Sequence, residues 1–187
     1  MAPPIIGRLT ALSLDEFARI ASGYVSAEKY GVRMRATRAG GWRLELRPVP
    51  VNPPYVKAAH HDVSDLARLN RATAGGASFG AWDGGLLVGV AVTEHMEWNR
   101  NLVLWEFHVA VSHRRQGIGR ALMEQVVAAA RSLGVRSVTA ETQNTNVAAI
   151  TFYRACGFTI QGVDLSLYAD DHLGENREVA VFMRCFV

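Results

Sequence analysis

The 187-residue sequence predicts an α/β (α+β) domain with a mixed sheet, on three observations. Segments with strand patterning alternate with segments of helical period through the second half, as in a sheet covered by helices. Two hairpin turns precede them, Arg38-Ala39-Gly40-Gly41 and Asp83-Gly84-Gly85, each between runs suited to strands. A basic, glycine-bearing loop then joins an apolar strand to the most periodic helix of the chain.

Residues 12–21 predict the first helix, with Ser13 and Glu16 spaced as a capping box. Residues 32–37 and 42–49 alternate polar and apolar and predict a hairpin. Pro48, Pro50, Pro53 and Pro54 remove backbone donors and predict a linker or an exposed edge. Residues 62–71 predict a short helix, and 79–82 with 86–93 a second hairpin. Residues 102–111 predict a strand. In 117–133, Ile118, Leu122, Val126, Ala129 and Leu133 recur at helical spacing and Gly134 is the stop. Residues 135–142 predict a strand, 145–156 a helix closed by Gly157, and 158–163 and 178–187 two last strands. The expected organisation is a single domain over 1–187. Residues 1–60 form a helix and hairpin region with the proline-rich linker, and 78–187 the core.

With 49% apolar and 20% charged residues the chain has the composition of a folded domain, which excludes wholesale disorder. Its net charge is only +3, and Arg33, Arg35, Arg38, Arg43 and Arg47 are scattered rather than massed, so no nucleic-acid partner is expected. A mild positive balance suits an anionic ligand. Cys156 and Cys185 form no CxxC pair and read as small buried hydrophobes in a reducing compartment. Residues 1–10 lack the apolar run of a signal peptide, and 84–93 are too short to cross a bilayer. A cytoplasmic location without a membrane partner is expected, and a homodimer is an open arrangement. His60, His61, His95, His108, His113 and His172 show no metal-ligand spacing with each other or with the cysteines, so no metal is expected.

The loop Arg114-Arg115-Gln116-Gly117-Ile118-Gly119-Arg120 lies where a strand ends and a helix begins. A helix start carries unpaired amides and positive dipole charge, and so attracts anions. Gly117 and Gly119 allow a pyrophosphate to approach the backbone, and Arg114, Arg115 and Arg120 add charge. A glycine turn beside solvated arginines would look the same in isolation. The position after a strand and before a periodic helix favours the phosphate site.

These residues match the R/Q-x-x-G-x-G/A motif of GNAT N-acetyltransferases. Asn146-Val147-Ala148-Ala149-Ile150-Thr151-Phe152-Tyr153-Arg154-Ala155-Cys156-Gly157-Phe158 resembles the family's N-x-x-A…Y…GF segment. Within the family, Trp98-Asn99-Arg100, the run from Glu141 to Ala149, Gly162-Val163-Asp164 with Leu167-Tyr168, and the run from Arg47 to Pro54 resemble the streptothricin (nourseothricin) acetyltransferases. That subgroup usually carries Glu-Asp where this chain has Trp105-Glu106. The resemblance implies a mixed, mostly antiparallel sheet flanked by helices, acetyl-CoA as cosubstrate, and a small-molecule amine as acceptor.

The resemblance also implies roles. The pyrophosphate would lie on the amides of Gln116, Gly117, Ile118, Gly119 and Arg120, and the pantetheine arm would pair with Phe107, His108 and Val109 like an added strand. The Val109 amide could polarise the thioester carbonyl. Asn146 would contact pantetheine or cap its helix. The Tyr153 hydroxyl would protonate the departing thiolate, or the side chain would simply pack on the sheet. An amine of pKa about 10.4 must lose a proton before it attacks. Glu106 is the first candidate base, with an ion-pair or substrate-binding role as its alternative, and Glu141 is the reserve. Asp164, Asp170, Asp171 and Glu178 join them as acids for a cationic acceptor, with Tyr168 beside them and Trp105 available to stack on a cation. Solvated loop charges are the competing account of these acids. A protein N-terminal or lysine acetyltransferase, and a non-catalytic acyl-CoA-binding domain, are the alternative functions.

Overall fold

A computed structural model describes residues 3–59, 63–168 and 178–187. The chain runs β1 (Ile5–Arg8), α1 (Leu14–Ile20), β2 (Tyr24–Ala36), β3 (Trp42–Lys57), α2 (Val63–Thr73), β4 (Phe79–Asp83), β5 (Leu86–Met96) and β6 (Asn101–Val109). It continues through α3 (Ile118–Ser132), β7 (Ser137–Gln143), α4 (Val147–Ala155), β8 (Thr159–Asp164) and β9 (Ala180–Phe186). Its contacts fall into two compact units, each assembled from separate stretches. The first comprises Met1–Gly23, Ala58–Ala140 and Arg184–Val187, and the second Tyr24–Lys57 and Glu141–Met183.

In the first unit the strand order is β1-β4-β5-β6-β7. The pairs are antiparallel except β6 with β7, which are parallel. One face is covered by Leu9, Leu12, Phe17, Ile20, Leu69 and Ala72, which cluster with Val90 and Val92 of β5. The predicted capping box holds α1. Ser13 Oγ accepts from the Glu16 amide at 3.3 Å while Glu16 Oε2 accepts from the Ser13 amide at 2.9 Å. Asn70 of α2 grips the Leu12 backbone from both sides, at 2.8 and 2.9 Å, and so fixes the approach to α1. On the opposite face α3 comes close to β5 because position 89 is a glycine. A Cβ there would lie 3.1 Å from Leu122 Cδ1 and 3.4 Å from Ile118 Cγ2.

Two features of β6 shape its far half. The β5–β6 register shifts between Val92, which pairs Glu106, and Thr93, which pairs Leu104, so Trp105 is the extra residue of a bulge. The parallel ladder to β7 ends at Leu104–Ala140, whereas β6 continues to Val109.

In the second unit β2 and β3 form a two-stranded ribbon, and β8 and β9 are neighbours. The proline-rich stretch, expected as a linker or an exposed edge, lies within the strand β3. A two-stranded ribbon leaves each strand one unpaired side, so a missing N–H need not cost a rung. The ladder is interrupted between Ser26 and Glu28, opposite Val51, Asn52, Pro53 and Pro54. The buried Asn144 ties the ribbon to the chain before β9. Its Nδ2 donates to the Tyr30 carbonyl at 2.9 Å and its Oδ1 accepts from the Val179 amide at 2.8 Å. Among the described residues no helix is long and apolar enough to cross a membrane. His60, His61, Asp62, Asp170, Asp171 and His172 lie outside the described residues.

The tight approach at position 89 predicts that Gly89→Val overpacks the α3–β5 contact and destabilises the protein by about 1–3 kcal/mol. Denaturant unfolding monitored by circular dichroism measures this, with Gly89→Ala expected to lie between wild type and valine.

Candidate active site

The loop before α3 is braced by the side chains expected to carry charge there. After a short 3-10 turn at Val111–His113, Arg114 Nε donates to the Val109 carbonyl at 2.9 Å and another guanidinium N–H to Ser22 Oγ at 2.8 Å. Gln116 Nε2 donates to the Ser112 carbonyl at 3.1 Å. Arg115 and Gly117 both have left-handed backbones, with φ of 64° and 85°. A Cβ on Gly117 would meet open space, so its glycine is required by conformation rather than by packing. Gly117 is the N-cap of α3 and no side chain caps that helix, whereas Ser13 caps α1 and Asn146 caps α4. Ile118 is buried against the core, Gly119 is half-buried, and Arg115, Gln116, Gly117 and Arg120 are exposed. The amides of the first turn of α3 therefore start a helix dipole with no internal acceptor, beside arginines, on an exposed loop.

On β6, Glu106 and His108 lie two residues apart and share a face, and the Glu106 carboxylate meets His108 Nε2 at 2.7 Å. The His108 ring packs edge-on against the buried Phe17. Phe107 and Val109 are half-buried. Trp105, in the bulge, donates from Nε1 to Glu94 at 2.7 Å, and the Arg68 guanidinium sits 4.8 Å from its ring centre. One face of the indole thus already carries a cation from the chain itself. Among the described residues no group of three side chains could hold a metal.

The second unit gathers Glu141, Tyr168 and Glu178 into one cluster. The Tyr168 hydroxyl donates to Glu141 and accepts from Gln143 Nε2 at 2.7 Å. Glu178, nearly buried, accepts from Tyr55 Oη at 2.8 Å and from Lys57 Nζ at 2.5 Å, and Thr145 Oγ1 lies 3.4 Å away. The Lys57 ammonium is also 5.4 Å from the centre of the Tyr168 ring. Tyr24 shares a 2.7 Å hydrogen bond with Thr145. Burial, reinforced by Glu141, pushes the Tyr168 hydroxyl well above the ordinary tyrosine range, and burial does the same to Tyr24.

The other expected residues are placed individually. Asn146 accepts from the Ala149 amide at 3.2 Å and so caps α4. Tyr153 is buried with its ring beside Phe152 and Phe158. Asp164 stands apart from the acidic cluster. Its carboxylate accepts from the amide and hydroxyl of Ser166, at 2.8 and 2.9 Å, and these bonds hold it below the usual carboxylate range. Lys57, Tyr55, Tyr24 and Thr145 were not anticipated. Reading the prolines as part of a strand would have put Tyr55 and Lys57 on one face by their two-residue spacing.

Residues 42–158 match the Acetyltransferase (GNAT) family. The chain belongs to that family. It has the GNAT fold, a mixed sheet flanked by helices, and is an N-acetyltransferase that uses acetyl-CoA. It is 36% identical to a streptothricin acetyltransferase of Streptomyces lavendulae over 127 residues, covering 66% of this chain and 67% of that protein. A crystal structure of nourseothricin acetyltransferase superposes with a TM-score of 0.73 at 32% identity and 99% coverage of both chains. A candidate streptothricin acetyltransferase of Bacillus anthracis str. Ames, in complex with acetyl coenzyme A, gives 0.77 at 25% identity, with 98% of this chain and 99% of that one covered.

The tyrosines of this GNAT chain set a sign for its alkaline behaviour. An unfolded tyrosine ionises near 10.0, whereas folded Tyr168 and Tyr24 keep their protons. The unfolded state then binds fewer protons, so the stability from these groups is intact below that pH and falls as pH rises beyond it. Tyr168→Phe is expected to flatten this fall, measured as thermal midpoint against pH from 8 to about 11.

Proposed function

We propose that this chain transfers the acetyl group of acetyl-CoA to a primary amine of a small, cationic molecule of the streptothricin type, by direct attack in a ternary complex. The observation that carries the acceptor class is the second unit's cluster of Glu141 and Glu178 among Tyr24, Tyr55 and Tyr168. Carboxylates and ring faces that are partly withdrawn from water attract an ammonium ion. The similarity to nourseothricin acetyltransferase over the whole chain supports the same class.

On the donor side, the uncapped start of α3 receives the pyrophosphate on amides from Gln116 to Arg120. The pantetheine arm pairs with β6 beyond its last rung to β7, a stretch that includes Phe107, His108 and Val109. The amine nitrogen attacks the thioester carbon, a C–N bond forms, and the C–S bond breaks. A carboxylate takes the amine proton, directly or through water, and Tyr153 supplies a proton to the thiolate. Glu106 is the base we assign, because its pairing with His108 offers a partner that can share the proton; Glu141 is the alternative.

Three expectations test this. Thiol release from acetyl-CoA with a panel of cationic, neutral and anionic amines should be fastest with cationic ones and should weaken as salt rises. Neutral aromatic amines outperforming every cation, without salt sensitivity, would reject the acceptor class. Gly117→Val places a β-branched residue at positive φ and should lower CoA affinity about tenfold or more by calorimetry, and unchanged affinity in the folded variant would move the pyrophosphate elsewhere. Tyr153→Phe should reduce kcat by about 10²–10⁴ with a smaller change in KM for acetyl-CoA.

A further inference from the structure

We infer that His108 is a positioning residue for the reaction: its imidazole holds one oxygen of the Glu106 carboxylate, so that the other is aimed at the acceptor amine. The inference deepens the function proposed above and rests on Glu106 as its base. The hydrogen bond between the two is the first observation. An ionised carboxylate can only accept, so His108 Nε2 donates to Glu106 Oε2 across the 2.7 Å between them. Among the described residues neither side chain makes another hydrogen bond or ion pair, which leaves Oε1 for the amine.

The strand explains where the pair points. Val92 lies opposite Glu106 and Val90 opposite His108, and both valines belong to the cluster that α1 and α2 cover. Glu106 and His108 therefore share that side of the sheet. Leu104, before the bulge, pairs with Thr93 and faces the other side. The extra residue Trp105 is thus what turns Glu106 toward the helices. The imidazole is fixed in its turn by buried Phe17, whose ring centre lies 5.8 Å away at an interplanar angle of 74°. Each member of the pair is about one-quarter exposed, so water reaches the carboxylate without holding it in one place. A base must meet its proton within hydrogen-bond reach, and a misplacement of about 1 Å can cost about 10²-fold in rate. Glu106 has three side-chain torsions to fix and one described contact that fixes them.

The test is kinetic, with streptothricin as acceptor and thiol release as the readout. His108→Phe keeps a ring against Phe17 and removes the donor. It should lower kcat about 10–100-fold with little change in KM for either substrate. His108→Gln, whose amide can donate from nearly the same place, should recover most of that loss. Glu106→Gln should be slower still, and adding His108→Phe to it should cost nothing further. Wild-type kcat in folded His108→Phe, no recovery in His108→Gln, or losses that multiply in the double variant overturn the inference. Glu106→Gln at wild-type kcat rejects Glu106 as the base and the role of His108 with it. Slow Glu106→Gln beside fast His108→Phe rejects the role of His108 alone. Should His108→Phe not fold, or streptothricin not be acetylated, the hydrogen bond itself decides. Nitrogen-15 NMR of the neutral imidazole should place Nε2 at the fully protonated position in wild type and nearer the mixed position of a free imidazole in Glu106→Ala. A mixed position in wild type, or an unchanged signal in Glu106→Ala, overturns the inference.

Discussion

The longest helix of this chain starts with its hydrogen-bond donors unanswered by any side chain. Each helix begins with amides that the helix cannot satisfy, and proteins usually supply a serine, an asparagine or an acid to accept from them. The chain does so at Ser13 and at Asn146. At α3 it places Gly117 instead, in a left-handed conformation that favours glycine. Nearby groups serve that turn. The Arg114 guanidinium donates to the Val109 carbonyl at the end of β6 and to Ser22 Oγ, and Gly89 lets α3 settle against β5. A donor cosubstrate with a pyrophosphate is the chemical complement of such a turn.

The acidic cluster of the second unit works under the opposite constraint. A carboxylate withdrawn from water costs free energy unless hydrogen bonds and countercharge surround it. Glu178 meets that requirement with a tyrosine and a lysine, and Glu141 with a tyrosine hydroxyl held protonated by its surroundings. Acids withdrawn from water are thus kept folded by a cation and by donors that the chain itself supplies. Trp105 shows the same economy in the first unit, with Arg68 resting over its ring.

Much of this was legible in the chain, and the remainder was hidden for definite reasons. Ser13 with Glu16 announced α1, and the period of Ile118, Leu122 and Val126 announced α3, because both signals are local. The four residues of β1 are too few to show alternation. β3 was obscured because proline argues against a strand unless the strand is known to have an unpaired side, which only the fold reveals. The glycine loop could be read at sight since its constraint is backbone conformation. Lys57 with Glu178 could not, because the two are 121 residues apart. Glu106 with His108 was the missed opportunity: two residues apart on a strand, they had to share a face.

The second unit is discontinuous in the chain, and that has a consequence for how the protein is made. The β2–β3 ribbon leaves the ribosome well before Asn144, Glu178 and the rest of the segment it packs with. At about 5–20 residues per second the gap from Lys57 to Glu178 lasts on the order of ten seconds. During that interval Met34, Trp42 and Leu44, exposed even in the finished fold, share a ribbon whose outer edges carry unpaired backbone groups, a surface that invites pairing with other nascent chains. Prolines within β3 blunt one of those edges while the ribbon waits. The residues that concealed the strand from sequence inspection thus also lack the N–H that such pairing would use.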